Sequence, residues 1–303
     1  MNRLNLIYSL LLLCVCFACS DNEDLKPSGF DQDWFAIEND PSDPLKSLVY
    51  DIYVNQKVSV FYNDTIGKSI RGMDEDGNPV VHYQILVPHY TIDGINPTYR
   101  FVLSQDKDII LNAVRFLNER VLSILTGEAL PKSYYLVDSI AYKEYDYDVY
   151  DYVWRSKNVY KGMMTTVCGR ISELPSMSET ELRELAADII ALDLGSYIWA
   201  TYKIDLEKFY LQTNTYAGKN LYGLRLEYDS TPSSYDDLHE YGFLRPVSDY
   251  YMTPTEDEDV SDYVRAVLAY SEEEFTGMYE EFDVIMAKYA IMKRVMDKYK
   301  AEK

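Results

Sequence analysis

Apolar residues recur every three or four positions in several stretches of the chain, and the most regular stretch predicts a central helix over residues 178–198. Ser178 stands at its start and Glu181 follows three residues later, which is the pairing of a capping box at a helix N-terminus. Because the apolar positions fall on one side, we expect this helix to pack against the core. Those positions are Leu182, Leu185, Ala186, Ile189 and Ile190.

The same spacing predicts further helices before and after the central one. Pro44 behind Asp43 is typical of a helix start, and Gly127 is typical of a helix end. The last predicted helix is also the longest and carries a stripe of methionine and aromatic residues, which core packing explains best. The predicted ranges are 45–54, 106–125, 256–270 and 272–299. Residues 201–240 have no clear period and predict loops and short helices.

Short runs of β-branched and aromatic residues predict strands over residues 58–62, 80–87 and 134–137. Residues 74–78 between the first two runs contain three acids and Gly77. They resemble the opening of a calcium loop, but an EF-hand loop needs Glu at its twelfth position, where this chain has Ile85. We therefore expect a hairpin turn there.

Aromatic and acidic residues alternate through residues 142–160, in a chain that holds 30 tyrosines. Alternation suits extended strand, and two interpretations stay open. One is a binding platform on which the rings of Tyr147, Tyr152 and Trp154 stack against a sugar or a peptide side chain. The other is an edge strand or hairpin whose charged residues discourage edge pairing.

Composition predicts a chain with a sizeable core and a strong excess of acids. Of its 303 residues 47% are hydrophobic, and 50 acidic residues against 29 basic ones give a formal net charge of −21. Binding to nucleic acid requires a basic surface, so this class of function is excluded. Contact with anionic membrane surfaces is disfavoured for the same reason.

The N-terminus has the pattern of a lipoprotein signal. Arg3 precedes an apolar run that is too short to span a bilayer and that ends with Ala18 in front of Cys19. An ordinary secretory signal or a membrane anchor is the alternative. We predict a signal peptide over 1–18, lipidation at Cys19, a flexible tether over 19–44 and a single globular domain over 45–303. Residues 21–24 resemble the acidic surface-export signal of Bacteroidota lipoproteins, or form a solvated linker.

A resemblance to a known family comes from the C-terminal third. Residues 242–251 read Gly-Phe-Leu-Arg-Pro-Val-Ser-Asp-Tyr-Tyr, residues 258–263 read Glu-Asp-Val-Ser-Asp-Tyr, and a long helix follows. This order resembles the zinc metallohydrolase lipoproteins that accompany outer-membrane nutrient-import systems in Bacteroidota. The resemblance implies an α+β, zincin-like metallopeptidase fold, with a small sheet packed on several long helices. It also implies attachment to the outer membrane, facing outward, beside an import pore and its binding lipoprotein.

The chain departs from this family at the metal site. The family carries His-Glu-x-x-His on the helix that corresponds to 178–198, where the two histidines share one helix face and bind zinc. Here that helix contains no histidine, and residues 90–238 contain none either. Zinc is expected in the family but not supported here, so we predict no cofactor. A catalytic cysteine needs a histidine partner, and for Cys168, alone in the folded part, the sequence offers only His82, His89 and His239.

Acidic residues near the former metal site are the remaining candidates for chemistry. Asp188 and Asp193 lie on the central helix, and Asp262 matches an acid that the family carries on a later helix. Such carboxylates can bind a hard cation such as calcium or act as an acid–base pair, or they are simply solvated or capping acids. Two function classes follow: a non-catalytic accessory lipoprotein that binds peptide or glycan, and an active hydrolase with an altered metal or carboxylate site.

Overall fold

The computed structural model describes residues 32–89, 99–146, 149–213, 220–225, 238–245 and 252–303. Two compact units are distinguished. One contains residues 32–34 and 69–82, and the other contains residues 35–68 together with the described residues from 83 onward.

The first unit holds the outer parts of a hairpin. Asp74 closes its turn by accepting hydrogen bonds from the amides of Asp76 and Asn78 at 3.0 and 2.7 Å. Gly77 adopts a φ of 79°, so the predicted hairpin turn is confirmed.

The described chain contains seven α-helices. Asp43 caps the first by accepting from the amide of Leu45 at 3.0 Å, with Pro44 as its first residue. Ser178 and Glu181 form the predicted capping box of the third. The helices are α1 (Pro44–Gln56), α2 (Lys107–Phe116), α3 (Glu179–Thr201), α4 (Lys203–Tyr210), α5 (Glu256–Ala269), α6 (Glu272–Tyr279) and α7 (Asp283–Glu302). None of these described helices carries an apolar stretch that would reach across a bilayer.

Strands of the described residues form three sheets. The strands are β1 (Ser59–Phe61), β2 (Thr65–Met73), β3 (Pro79–Ile85), β4 (Tyr99–Val102), β5 (Ser133–Leu136), β6 (Ser139–Asp146), β7 (Asp151–Lys157), β8 (Val159–Lys161) and β9 (Thr165–Cys168). The first sheet has the order β1-β5-β9-β8, in which β8 is antiparallel to β9 and the other pairings are parallel. The second sheet is the β2-β3 pair, and the third is antiparallel with the order β4-β6-β7.

Alternating residues of the first sheet face two different cores. Tyr134, Leu136 and Cys168 are buried in the main core with the helices, whereas Tyr135 and Val167 are buried in a smaller core with Ile140 of β6. A strand that is buried on both sides has no polar face, which explains why β5 and β9 are buried at every position. The helices therefore cover one face of the first sheet, and β4 and β6 pack on the other.

Among the described helices, α3 and α5 pack together most extensively. A Cβ atom built on Gly195 of α3 would lie 2.3 Å from Ser261 Oγ and 2.7 Å from Ser261 Cα of α5. The absence of a side chain at this position therefore permits the two backbones to meet.

The α+β class and most predicted elements are confirmed, with two corrections. The predicted helix over 272–299 is two helices, because the backbone of Phe282 leaves the helical region with φ −108° and ψ 88°. The ring centroid of Phe282 lies 5.2 Å from that of His239. The predicted helix over 106–125 is α-helical only to Phe116 and continues as a π-helical turn over Leu117–Val121. Residues 142–160 contain the antiparallel pair β6 and β7 followed by β8, so the hairpin of the second interpretation is observed in the part that the structure describes.

Candidate functional site

Asp193 lies on the face of α3 that is packed against the first sheet, and its side chain is buried. Thr166 donates from Oγ1 to both carboxylate oxygens at 3.0 Å, and the hydroxyl of Tyr134 donates to Oδ2 at 3.3 Å. Lys161 Nζ lies 3.6 Å from Oδ1 at the edge of the site. Burial raises the pKa of Asp193 to about 6, although Lys161 and the hydroxyls oppose that rise.

Asp188 and Asp262 are held by arginines instead. Arg265 donates from Nε to Asp188 at 2.5 Å. Arg245 donates from Nε and one terminal nitrogen to the two oxygens of Asp262, at 2.6 and 2.7 Å, which is bidentate geometry. Burial raises the pKa of Asp262, although Arg245 and Arg265 oppose that rise. Asp193 is contacted by Lys161 instead of an arginine.

The three predicted acids therefore do not form an open carboxylate site. The carboxylate of each acid already faces a cation: Lys161 at Asp193, Arg245 at Asp262 and Arg265 at Asp188. A metal ion would have to displace that cation to bind there. Across the described ranges, no group of three histidine, cysteine or acidic side chains could hold a metal ion.

A buried ion pair that sequence reasoning missed lies beside these acids. Lys288 Nζ of α7 is 2.5 Å from Asp259 Oδ2 of α5, and both side chains are fully buried. The ammonium also donates to the carbonyl of Gly242 at 2.8 Å and to Thr213 Oγ1 at 3.1 Å. The aromatic rings of Phe209, Tyr222, Phe243 and Tyr263 surround it.

This pair holds several separate segments together. Its ammonium donates to Thr213, which lies just after α4. It also donates to Gly242 in the segment 238–245 and to Tyr222 in the segment 220–225. Burial raises the pKa of Asp259 to about 6 and lowers that of Lys288. The sequence carries one signal for it: Lys288 falls on the apolar stripe of α7, three positions after Ile285 and four before Met292.

The predicted aromatic face lies on the hairpin of β6 and β7. Tyr152 and Trp154 are two residues apart on β7, so both side chains point to the same side of the sheet. Their exposed fractions are 62% and 37%, and neither ring belongs to a hydrophobic core cluster. The ring of Tyr145, opposite Tyr152 in the register, lies edge-on to it at 5.3 Å. Tyr147 lies outside the described residues.

Two cations that the sequence analysis did not single out accompany Trp154 on this face. Arg100 of β4 places its guanidinium carbon 4.0 Å from the centroid of the Trp154 ring. Lys143 of β6 is directly opposite Trp154 in the register, with Nζ 5.5 Å from that ring. Both distances are within the range of cation–π attraction. We call the set Arg100, Lys143, Tyr152 and Trp154 the outer face of the third sheet.

The opposite face of the same sheet is filled by the protein itself. Lys157 Nζ lies 4.4 Å from the ring of Tyr142, 5.1 Å from that of Tyr99 and 5.5 Å from that of Tyr160. Burial lowers the pKa of Lys157. An internal lysine occupies this aromatic cage, whereas the outer face includes Tyr152 and Trp154, whose rings are partly open to solvent.

Comparison with known proteins returned no match to a protein family, to a curated protein or to a solved structure.

Proposed function

We propose that this chain is a surface-exposed, lipid-anchored accessory protein of outer-membrane nutrient uptake that binds a peptide or glycan without hydrolysing it. In this proposal it is a divergent, zincin-like relative of the Bacteroidota zinc metallohydrolase lipoproteins, anchored through Cys19 beside an import pore and its binding lipoprotein. The observation that carries the binding role is the outer face of the third sheet, where Tyr152 and Trp154 present rings to solvent.

An exposed ring gains none of the stabilisation that burial would give it. Burying an aromatic ring is favourable, and several large rings of the described residues are buried, Tyr134, Tyr135, Tyr263, Phe209 and Phe243 among them. Tyr152 and Trp154 contribute nothing to either core, so their retention on one strand face supports contact with something outside the chain. Each stacked ring contributes on the order of 1 kcal/mol, and several contacts together would give useful affinity.

The environment of the acids supports a non-catalytic role. A carboxylate that serves as a metal ligand or a general base needs a lone pair directed at the reacting group. The carboxylate oxygens of Asp188 and Asp262 accept hydrogen bonds from arginines. Those of Asp193 accept from Thr166 and Tyr134 and lie near Lys161. The absence of the His-Glu-x-x-His motif points the same way.

The second candidate is a hydrolase with an altered carboxylate site, and one observation favours it. Asp193 has its pKa raised to about 6, which suits proton transfer near neutral pH. Lys161 contacts Asp193 and also donates to Ser196 Oγ at 2.9 Å, so a hydroxyl is close by. Against it, only 5% of Asp193 is exposed, and its two oxygens are engaged within the protein.

Three assays on the mature protein without its signal peptide separate the two functions. The first measures zinc and calcium content by mass spectrometry. The second assays peptidase and glycosidase activity with and without a chelator. The third measures binding to panels of oligosaccharides and peptides by calorimetry. The proposal predicts binding without turnover. Turnover that Asp193→Asn abolishes would support the hydrolase. Stoichiometric zinc with chelator-sensitive cleavage, or the absence of any ligand in the panels, would contradict the proposal.

A further inference from the structure

Arg100 and Lys143 are two cations of this acidic chain that lie on the same face of the third sheet. Arg120, Arg155, Arg170, Arg183, Arg245 and Arg265 all pair with carboxylates. Arg100 and Lys143, by contrast, have no carboxylate within salt-bridge distance among the described residues, and both contact the ring of Trp154 instead. Other described cations, Arg115 and Arg294 among them, also have no carboxylate partner, but Arg100 and Lys143 share one sheet face with a partly exposed ring, and two positive charges on that face are complementary to an anion.

The strand register explains how three strands bring these groups together. Arg100 of β4 pairs with Ala141 of β6, and Lys143 of β6 pairs with Trp154 of β7. Arg100 must therefore cross β6 to reach Trp154, and the small side chain of Ala141 leaves it room. Neighbouring strands are about 4.8 Å apart, and Tyr152 and Trp154 are separated by about 7 Å along β7, so the outer face spans roughly one sugar ring in each direction.

We propose that the outer face of the third sheet binds an acidic glycan, whose uronic acid carboxylate contacts Arg100 and Lys143 while a pyranose ring stacks on Tyr152 and Trp154. This inference rests on the proposed binding function and names the chemical class of its ligand. A guanidinium can donate two parallel hydrogen bonds to a carboxylate, and contact with the Trp154 ring limits the side-chain freedom that Arg100 would lose on binding.

The charged residues along the edge strand β7 favour a glycan over an acidic peptide as the ligand. An extended peptide would gain affinity by pairing with the backbone of β7, the outer strand of the described part of this sheet. β7 carries the charged residues Asp151, Arg155 and Lys157 along its length, and charged side chains on an edge strand discourage such pairing. A saccharide needs only the stacking rings and the two cations, and these are the groups that the outer face presents.

The test compares acidic and neutral forms of the same sugar chain. Binding of oligogalacturonate, its methyl ester and oligoalginate to the mature protein is measured by calorimetry at low and high salt. The methyl ester keeps the ring and removes the charge. We expect an acidic oligosaccharide to bind at least about tenfold more tightly than the ester, and high salt to reduce that difference.

Variants assign the effect to the two cations. Arg100→Gln and Lys143→Gln should each remove the preference for the acidic form while leaving the weak binding of the ester. The matched control is Arg115→Gln, an exposed arginine of α2 that also has no carboxylate partner in the described structure and should have no effect. Unchanged melting temperatures establish that the variants are folded.

Each other outcome identifies which claim fails. Equal binding of acid and ester, or an acid preference that survives in Arg100→Gln and Lys143→Gln, overturns the acidic-glycan inference and leaves the proposed binding function intact. Binding of oligoglutamate but of no oligouronate, lost in Arg100→Gln, overturns it in favour of an acidic peptide. Failure to bind any oligosaccharide or peptide overturns both.

Discussion

Lys288 Nζ and Asp259 Oδ2 lie 2.5 Å apart with both side chains fully buried, and this pair joins α5 to α7 and to the segments around Thr213, Tyr222 and Gly242. Removing two charges from water costs several kcal/mol each, and the contacts that offset this cost are the ion pair itself, the bonds of the ammonium to Gly242 and Thr213, and the bond from Tyr222 to Asp259 Oδ2. Loss of one partner would leave the other charge buried without compensation.

Lys288→Met should therefore destabilise the protein by about 3–5 kcal/mol, measured by urea unfolding near neutral pH. The matched control is Lys293→Met on the same helix, because Lys293 pairs with the exposed Glu272 at 2.7 Å and should cost less than about 1 kcal/mol. Equal losses for the two variants would show that the buried pair does not hold these segments.

Gly195 provides a second test, which concerns the packing of α3 on α5. A methyl group at this position would meet Ser261 Oγ at 2.3 Å and its Cα at 2.7 Å, so Gly195→Ala should destabilise the protein by about 1–3 kcal/mol. Gly277→Ala is the control, because a Cβ there meets nothing within 4 Å and alanine is the better helix former. A neutral Gly195→Ala would mean that the two helices are farther apart than described.

The pH dependence of stability should report on Asp193. Its folded pKa of about 6 lies above the unfolded value of 3.8, so between these values the folded state holds a proton that the unfolded state has released. This group therefore contributes stability that is fully present below about pH 4 and is lost as the pH rises through 6. The amount is about 3 kcal/mol.

Asp193→Asn cannot titrate, so comparison with the wild type isolates this contribution. The difference in unfolding free energy, wild type minus variant, should fall by about 3 kcal/mol between pH 4 and pH 7 in urea titrations. A difference that stays constant over this range would mean that Asp193 is charged throughout, and it would weaken the case for a raised pKa at this buried position.

The N-terminal prediction is tested by fractionation. Cys19→Ala should release the protein from the membrane fraction, because the lipid would be its only anchor, and radiolabelled palmitate should be incorporated into the wild type alone. Replacing Cys168, which is buried, with Ala is the control for loss of a cysteine and should leave the protein in the membrane fraction. Unchanged fractionation of Cys19→Ala would refute lipidation at this residue.

Elements with strong local signals were predictable from the sequence. The capping box of Ser178 and Glu181 set the start of α3, and Asp43 with Pro44 set the start of α1. The break between α6 and α7 was not predictable, because neither proline nor glycine marks it. There the contact of Phe282 with His239 outweighs the local preference for helix, and such tertiary contacts cannot be derived from periodicity alone.

The candidate site was predictable only in part, for a similar reason. Alternation placed Tyr152 and Trp154 on one strand face, as observed. Arg100 is more than fifty residues away from Trp154 in sequence, and only the register of three strands brings them together. The acids on α3 and α5 were correctly placed on helices, but their arginine and lysine partners lie on other segments and change what those acids can do.

The most direct test of the account is ligand binding by Trp154→Ala beside Trp199→Ala, measured by calorimetry with the ligands identified in the panel. The two tryptophans are 37% and 39% exposed, so both variants lose a similar ring from the surface. We predict that Trp154→Ala weakens binding by about tenfold, while Trp199→Ala binds as the wild type and both melt within a few degrees of it. Equal affinities for the two variants, or a large loss of thermal stability in Trp154→Ala alone, would contradict the claim that the outer face is a binding surface.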